Sequence, residues 1–237
     1  PASSEGELWG HPNGLYVLSL TEMWERFSFY SMRGILTLYM FNGLAFSEGM
    51  SQKIYGAYLG FVYSAPLIGG MLADRLLGQR RAIIIGGILM AIAQFSLAGH
   101  SYITGAPLEV GEDAVFRETG LFMGIDVMFF LGMAFLAIGN GFFKPNISTI
   151  VGTLYKQEDA RRDGAFTIFY LGINVGALLA SLSAQVAQTY GWHWGFFLAG
   201  VGMVLGQVVF SWGKRTYAGH GLPPREGMLT SSVAVGI

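Results

Sequence analysis

Four charged side chains lie within a stretch that is otherwise apolar and long enough to cross a bilayer. They are Glu22, Glu25, Arg26 and Arg33, within residues 14–42. With 3.6 residues per turn, these positions share one helical face with Tyr30. A charge at the middle of a membrane costs about 2.5–3.5 kcal/mol on insertion scales, and such groups usually face a bundle interior or a watery cavity. The stripe therefore predicts a polar pathway or a binding site inside a helical bundle.

A purely structural interpretation of the same stripe is a buried ionic staple. Glu22 and Arg26 stand in the i, i+4 order that favours a salt bridge along a helix. That interpretation explains neither Arg33 nor the second carboxylate, so we prefer the site.

The rest of the chain predicts an all-α membrane protein with six transmembrane helices. The sequence is 52% hydrophobic and only 12% charged, against about 25% charged in soluble domains. Six segments reach the length of about 20 residues that a crossing needs: 14–42, 53–75, 80–100, 121–153, 163–189 and 194–213. We therefore expect a six-helix bundle over 1–213, and a cytoplasmic linker over 214–237 that runs into the start of another apolar segment.

The loops between these segments predict the orientation. The loops at 75–81 and 154–163 and the tail after 213 carry nine Lys and Arg residues, whereas the opposite loops carry only Lys53 and Arg117. The positive-inside rule then places both ends of the chain in the cytoplasm, and we expect a bacterial inner membrane. The formal net charge of −1 argues against a nucleic-acid partner, and no sequence pattern suggests a cofactor or a metal.

Polar side chains from four predicted helices fall at one depth. Counting 1.5 Å per residue, the Glu22–Arg26 segment, Tyr63, Lys144 and Asn174 lie in the same layer, with Arg33 higher. Lys144 could also snorkel toward the interface, but nine residues from the helix end is deep for that. Tyr63 and Asn174, taken singly, could equally be hydrogen-bonded core residues.

The residue types in this layer suit an anionic or zwitterionic ligand. Arg26, Arg33 and Lys144 can bind a carboxylate, the guanidinium groups in a bidentate manner. Tyr30 and Tyr63 can donate or accept hydrogen bonds, and Asn174 suits a peptide-like amide. Glu22 and Glu25 can hold the cations in the empty state or carry a proton, so a competing substrate carboxylate would link binding to proton uptake.

Four stretches resemble family signatures. The loop GMLADRLLGQRR at 70–81 resembles the signature loop of the major facilitator superfamily. EMWERFSFY at 22–30 resembles the ExxER motif of the proton-dependent oligopeptide transporter (POT) family. FFKPN at 142–146 and FTIFYLGINVG at 166–176 resemble that family's motifs in helices four and five.

The resemblance implies the N-terminal bundle of a symporter that carries di- and tripeptides with protons by alternating access. It assigns proton coupling to Glu22, Glu25, Arg26 and Lys144. It assigns substrate binding to Arg26, Tyr30, Arg33, Tyr63, Lys144 and Asn174. The signature loop would act as a conformational gate through Gly70, Asp74, Arg75, Gly78, Arg80 and Arg81. The expected partners are the peptide, protons, the lipid bilayer and a second, C-terminal six-helix half that this sequence does not contain.

Two residues depart from the family pattern. Phe29 stands where many members have tyrosine, which removes one hydroxyl, and helix two has no histidine, so proton coupling should depend on carboxylates. Within transporters, the alternative is a proton-coupled carrier of another small anion, such as nitrate or an amino-acid conjugate. An intramembrane enzyme is disfavoured because no HExxH or Gly-x-Ser-x-Gly pattern appears. A channel formed by a ring of subunits would not need both signs of charge on one helix.

Overall fold

Long helices account for most of the described chain. The structure is a computed structural model and describes residues 6–109, 111, 115–116 and 124–224. A short antiparallel pair, β1 (Glu7–Leu8) and β2 (His11–Pro12), precedes the first helix. The long helices are α1 (Asn13–Leu38), α2 (Glu48–Leu72), α3 (Gln79–Thr104), α4 (Asp126–Thr153), α5 (Arg161–Tyr190) and α6 (Trp192–Trp212). The all-α membrane fold predicted from sequence is confirmed.

The helix bounds differ from the predicted spans by a few residues. Helix α2 begins at Glu48 rather than at residue 53, and the Ser47 side chain accepts a hydrogen bond from the Met50 backbone N–H, 3.3 Å away. This N-cap lies in a polar turn that hydropathy alone passes over. Helix α1 ends in a π-helical turn over Tyr39–Gly43, and α2 ends in another over Ala73–Leu77. Residues 121–123, where the fourth span was expected to start, lie outside the described residues.

Five of these helices are long and apolar enough to cross a membrane. Helix α1, which carries the charged stripe, is not among them although it has 26 residues. Its buried face explains how it can still belong to the bundle, because the charged groups are covered by protein. The chain is therefore a multi-pass membrane protein.

The packing order of the helices leaves a cleft beside α1. Helix α1 packs along α5 and α6, α3 packs along α4 and α6, and α2 packs mainly along α4. By contrast, α1 approaches α2 and α4 only over short stretches. The space between α1, α2 and α4 is where the polar side chains of these three helices meet.

Two glycines allow close contacts between helix backbones beside the cleft. A Cβ on Gly176 of α5 would overlap the carbonyl oxygen of Met23 on α1, and one on Gly69 of α2 would overlap the backbone of Gly141 on α4. Small residues let membrane helices approach closely. These contacts fix the walls on either side of the cleft.

The start of α1, the α2–α3 turn, the α4–α5 loop and the end of α6 form one end of the bundle, which we call the lower end. There, Arg161 Nη1 donates to the Gly10 carbonyl oxygen at 2.8 Å and pairs with Glu7 at 3.1 Å. A hydrogen bond from Arg161 lowers the pKa of Asp159, and burial raises the pKa of Tyr155 to about 12. These contacts tie the N-terminal strands to the α4–α5 loop.

Candidate functional site: a polar cleft between three helices

Arg26 is the centre of a buried ionic cluster on α1. Its Nε atom lies 3.1 Å from Glu22 Oε1 and also donates to Glu25 Oε2, while its Nη2 donates to Glu25 Oε1 at 2.6 Å. The residue exposures are 2% for Glu22, 0% for Glu25 and 3% for Arg26. The i, i+4 salt bridge expected from the sequence is therefore present. All three charges are covered by protein rather than turned toward lipid.

The two carboxylates of this cluster are not equivalent. Both oxygens of Glu25 accept hydrogen bonds, whereas the buried Glu22 Oε2 has no hydrogen-bond partner among the residues that the structure describes. A buried, unsatisfied carboxylate oxygen is costly. Lys144 on α4 is close enough to Glu22 to interact with it electrostatically.

Asn140 joins this cluster from α4, and sequence reasoning missed it. Its Nδ2 donates to Glu25 Oε1 at 3.2 Å, and the residue is only 1% exposed. Asn140 lies one helical turn before Lys144, so both residues share a face of α4. That spacing was visible in the sequence, but the partner of the amide was not.

The cleft beside the cluster brings together five of the six predicted binding residues. Its lining residues are Arg26, Phe29, Tyr30, Arg33, Val62, Tyr63, Pro66, Asn140 and Lys144. Its volume is about 60 Å³, which is room for only a few water molecules. This half-open, cationic cleft is too small to enclose even a dipeptide by itself.

Arg33 is held in the cleft by a residue that was not predicted. Its Nε donates to the Tyr55 hydroxyl on α2 at 2.7 Å, which links α1 to α2 above the ionic cluster. The ring centroid of Phe29 lies 5.1 Å from the guanidinium carbon of Arg26. The ring supports the cation without offering a hydroxyl.

Asn174 does not line this cleft. Its side chain is exposed, and its Nδ2 donates to the Tyr170 carbonyl oxygen at 3.0 Å within α5 itself. Helix α5 packs against α1 and hardly meets α2 and α4. Depth along the helices alone does not specify which residues line the same cleft.

The predicted gate loop lies at the lower end, and its residues have different surroundings. Gly78 adopts φ 76°, and Gln79 donates to Asp74 at 2.8 Å. Arg80 donates through Nε to the His220 carbonyl oxygen at 2.6 Å and also donates to the Tyr217 carbonyl oxygen. Arg75 and Arg81 are exposed, and Gly70 is half-buried.

The segment after α6 is thus held against the α2–α3 turn. The Arg80 guanidinium carbon lies 4.9 Å from the Tyr217 ring centroid, and the Arg80 backbone N–H donates to the Gly221 carbonyl oxygen at 3.0 Å. Burial raises the pKa of the Tyr217 hydroxyl, which donates to the Phe210 carbonyl oxygen at 2.5 Å. We call this set of contacts the Arg80 clamp.

Comparisons of the sequence with known proteins all point to the same family. A family model described as the POT family matches residues 80–235. The chain is 42% identical to the peptide transporter YePEPT of Yersinia enterocolitica over 85% of this chain and 37% of that protein. It is 37% identical to a di-/tripeptide transporter of Lactococcus lactis over 89% of this chain and 39% of that protein.

A solved structure resembles the fold as well. The crystal structure of a peptide transporter POT in complex with sulfate matches 98% of this chain and 44% of its own, with a TM-score of 0.79 and 37% identity. The chain therefore spans less than half the length of the relatives it matches. The matching family model, the sequence relatives and the fold agree that this chain belongs to the POT family of transporters.

Proposed function

We propose that this chain is the N-terminal half of a proton-coupled symporter for di- and tripeptides, with the six-helix bundle over 1–213 and a linker from 214. In this proposal the cleft binds the peptide carboxyl end. The observation that carries it is that Arg26, Arg33 and Lys144, from two helices, line one cleft. The names of the relatives support the substrate class.

The charges and the size of the cleft favour one end of a peptide rather than a whole peptide. Arg26 and Arg33 both line the cleft, and Arg33 donates through Nε to the Tyr55 hydroxyl. Guanidinium groups suit a carboxylate because they can bind it in a bidentate manner. The opposite wall would come from the second half of the transporter, whose acidic residues are expected to hold the peptide amino end.

Proton coupling would follow from competition for Arg26. A substrate carboxylate that takes hydrogen bonds from Arg26 leaves a buried glutamate with less compensation, and a carboxylate without its cation in a low-dielectric site takes up a proton. Glu22 and Glu25 are the candidates, with Lys144 close to Glu22. No covalent step is involved.

Transport would proceed by rocking this bundle against the second half around the site. In this proposal the loop over 70–81, at the lower end of the bundle, acts as the conformational gate, and the contacts of the Arg80 clamp support that role. The excess of Lys and Arg at that end favours a cytoplasmic location for it, in the inner membrane of a bacterium.

The direct test is uptake of labelled dialanine by the intact protein in proteoliposomes, with and without an inward pH gradient. We expect uptake that depends on the gradient and is competed by unlabelled dipeptides. Arg26→Lys should abolish gradient-driven uptake because a point charge cannot replace the bidentate contacts. Arg162→Lys, the same change outside the cleft, should leave uptake intact.

The outcomes separate this proposal from its alternative. Uptake that nitrate or an amino-acid conjugate competes, and that dipeptides do not, would identify a carrier of another small anion. Full gradient-driven uptake by the Arg26→Lys variant would show that coupling does not depend on this cluster.

A further inference from the structure

A second groove lies on the opposite side of the bundle from the cleft, between α3 and α6. It has a volume of about 430 Å³ and is almost entirely apolar. It is lined by Ile88, Ala91, Ile92 and Phe95 on α3, and by Val204, Gln207, Val208, Ser211 and Trp212 on α6. Ile88 is 50% exposed and Ile92 49% exposed. In a membrane-spanning helix pair, such a groove faces hydrocarbon.

Unpaired cations gather where this groove reaches the lower end. Arg81 precedes the groove on α3, and Lys214 and Arg215 follow it after α6; all three are exposed. Neither helix, nor the segment 213–224, contains an aspartate or a glutamate. Within the part of the chain that the structure describes, none of the three has a carboxylate within salt-bridge distance.

Helical spacing aligns these cations with the groove. Arg81 stands seven residues before Ile88, which is two turns on the same face and about 10 Å along the axis. On α6, the groove residues Val204, Val208 and Ser211 share one helical face. Arg215 lies just beyond, in the 3-10 turn Gly213–Arg215 that follows α6. The two ends are held together by the Arg80 clamp, in which Arg80 contacts Tyr217.

Trp212 marks the depth at which the groove ends. The residue is 84% exposed, although a tryptophan ring is among the largest apolar side chains. Tryptophan prefers the headgroup level of a membrane. The apolar groove on one side of this ring matches the acyl chains of a phospholipid, and the cations on the other side match an anionic headgroup.

We propose that the α3–α6 groove binds an anionic phospholipid, with an acyl chain along Ile88, Ile92 and Val204 and the headgroup phosphate between Arg81, Lys214 and Arg215. The anionic headgroup supplies the negative charge that the protein lacks there. Basic residues near a membrane surface favour anionic lipid by an amount that corresponds to about fivefold in affinity for each Lys or Arg. This site does not depend on peptide transport.

The test is native mass spectrometry of the intact protein, titrated with phosphatidylglycerol or with phosphatidylcholine of the same chains. We expect one phosphatidylglycerol to bind more tightly than phosphatidylcholine. Arg81→Gln and Arg215→Gln should each weaken phosphatidylglycerol binding about fivefold. Lys156→Gln, which removes an exposed cation of the lower end far from the groove, should not weaken it.

Two further measurements test whether the groove holds the acyl chain and whether the bound anion is a lipid headgroup. Val204→Trp fills the groove from an exposed position and should weaken binding of both lipids, and Ile92→Trp serves the same purpose from α3. Glycerol phosphate, which has the anion without the chains, should not compete. Equal affinities for the two lipids, or displacement of the lipid by glycerol phosphate, would overturn the proposal. So would a phosphatidylglycerol affinity of Arg215→Gln equal to that of Lys156→Gln, or two tryptophan variants that both keep full affinity.

Discussion

Asn140 holds a charged pair in place with a group that cannot itself be ionised. Its amide reaches from α4 to Glu25 on α1, so the position of the carboxylate relative to Arg26 depends on two helices rather than one. An amide donates this hydrogen bond whether or not protons move nearby. The orientation of Arg26 toward the cleft is therefore fixed from both sides.

Removing this amide should affect carboxylate recognition. A hydrogen bond to a charged group contributes about 1.5–3 kcal/mol, so in the intact protein Asn140→Ala should raise the KM for dialanine by about 10- to 150-fold. It should also reduce the preference for dialanine over dialanine amide. Steady-state uptake of both compounds measures this.

Asn146 supplies the matched control for that experiment. It is an equally buried asparagine on α4, but its Nδ2 donates to the Phe142 carbonyl oxygen of the same helix, at 2.7 Å. Asn146→Ala should keep the preference for the free carboxylate. If Asn140→Ala slowed uptake of the acid and the amide equally, a purely structural role for Asn140 would follow.

For individual residues, the sequence predicted only those contacts in which both partners lie on the same helix. The stripe from Glu22 to Arg33 follows from 3.6 residues per turn, and the Glu22–Arg26 pair follows with it. Asn140 and Tyr55 could not be predicted, because their partners lie on another helix and depend on how the helices pack. For the same reason Asn174 was expected near a cleft that it does not line.

At the level of helices, the seam between α2 and α4 determines the wall of the cleft. Gly69 packs against the backbone of Gly141, while Gly60, nine residues earlier on α2, has open space where a Cβ would be. The two glycines thus lie on the same helix but differ in how tightly they are packed. Sequence analysis found the abundance of glycine in the spans, and only the packed structure distinguishes the positions that need it.

These two glycines give a matched stability test. Gly69→Ala should force α2 away from α4 and lower the free energy of unfolding by about 1–3 kcal/mol. Gly60→Ala should be neutral or stabilise by up to about 1 kcal/mol, because alanine is the better helix former. Thermal unfolding of the intact protein in detergent measures both; equal midpoints would contradict the observed seam.

The Arg80 clamp connects two elements that are far apart in sequence. Arg80→Gln removes the guanidinium contacts with Tyr217 and His220, and we expect faster amide hydrogen exchange over 216–224. Arg75→Gln, an exposed neighbour in the same turn, should leave exchange there unchanged. Protection of that segment that survives Arg80→Gln would mean that other contacts hold it.

On the scale of the whole molecule, two helices are incompletely covered. The most apolar parts of α2 and α5 are each only 22% buried; α2 lines the cleft, and α5 packs along α1. Length and hydropathy predicted the helices and their order. They could not predict which faces stay uncovered, because that depends on the sequence of contacts between helices.

In the proposed transporter, the second half would cover these faces in some conformations and not in others. This chain has no cysteine, so single cysteines can be introduced at Leu67, which is 76% exposed, and Leu178, 72% exposed. In the intact protein, with any other cysteines replaced, their reaction rates with a maleimide should change severalfold on adding dialanine. Ile92→Cys, on the far side, should react at a constant rate.

The buried cluster and its neighbours also determine the net charge of the cleft. Among the described residues in and behind the cleft, Arg26, Arg33 and Lys144 stand against Glu22 and Glu25, so with every group ionised this half holds one surplus positive charge. A single carboxylate neutralises that surplus, which leaves the ammonium of a zwitterionic guest uncompensated. In the proposed transporter, the facing wall would need a negative group of its own, and that group would disfavour a substrate without an amino terminus.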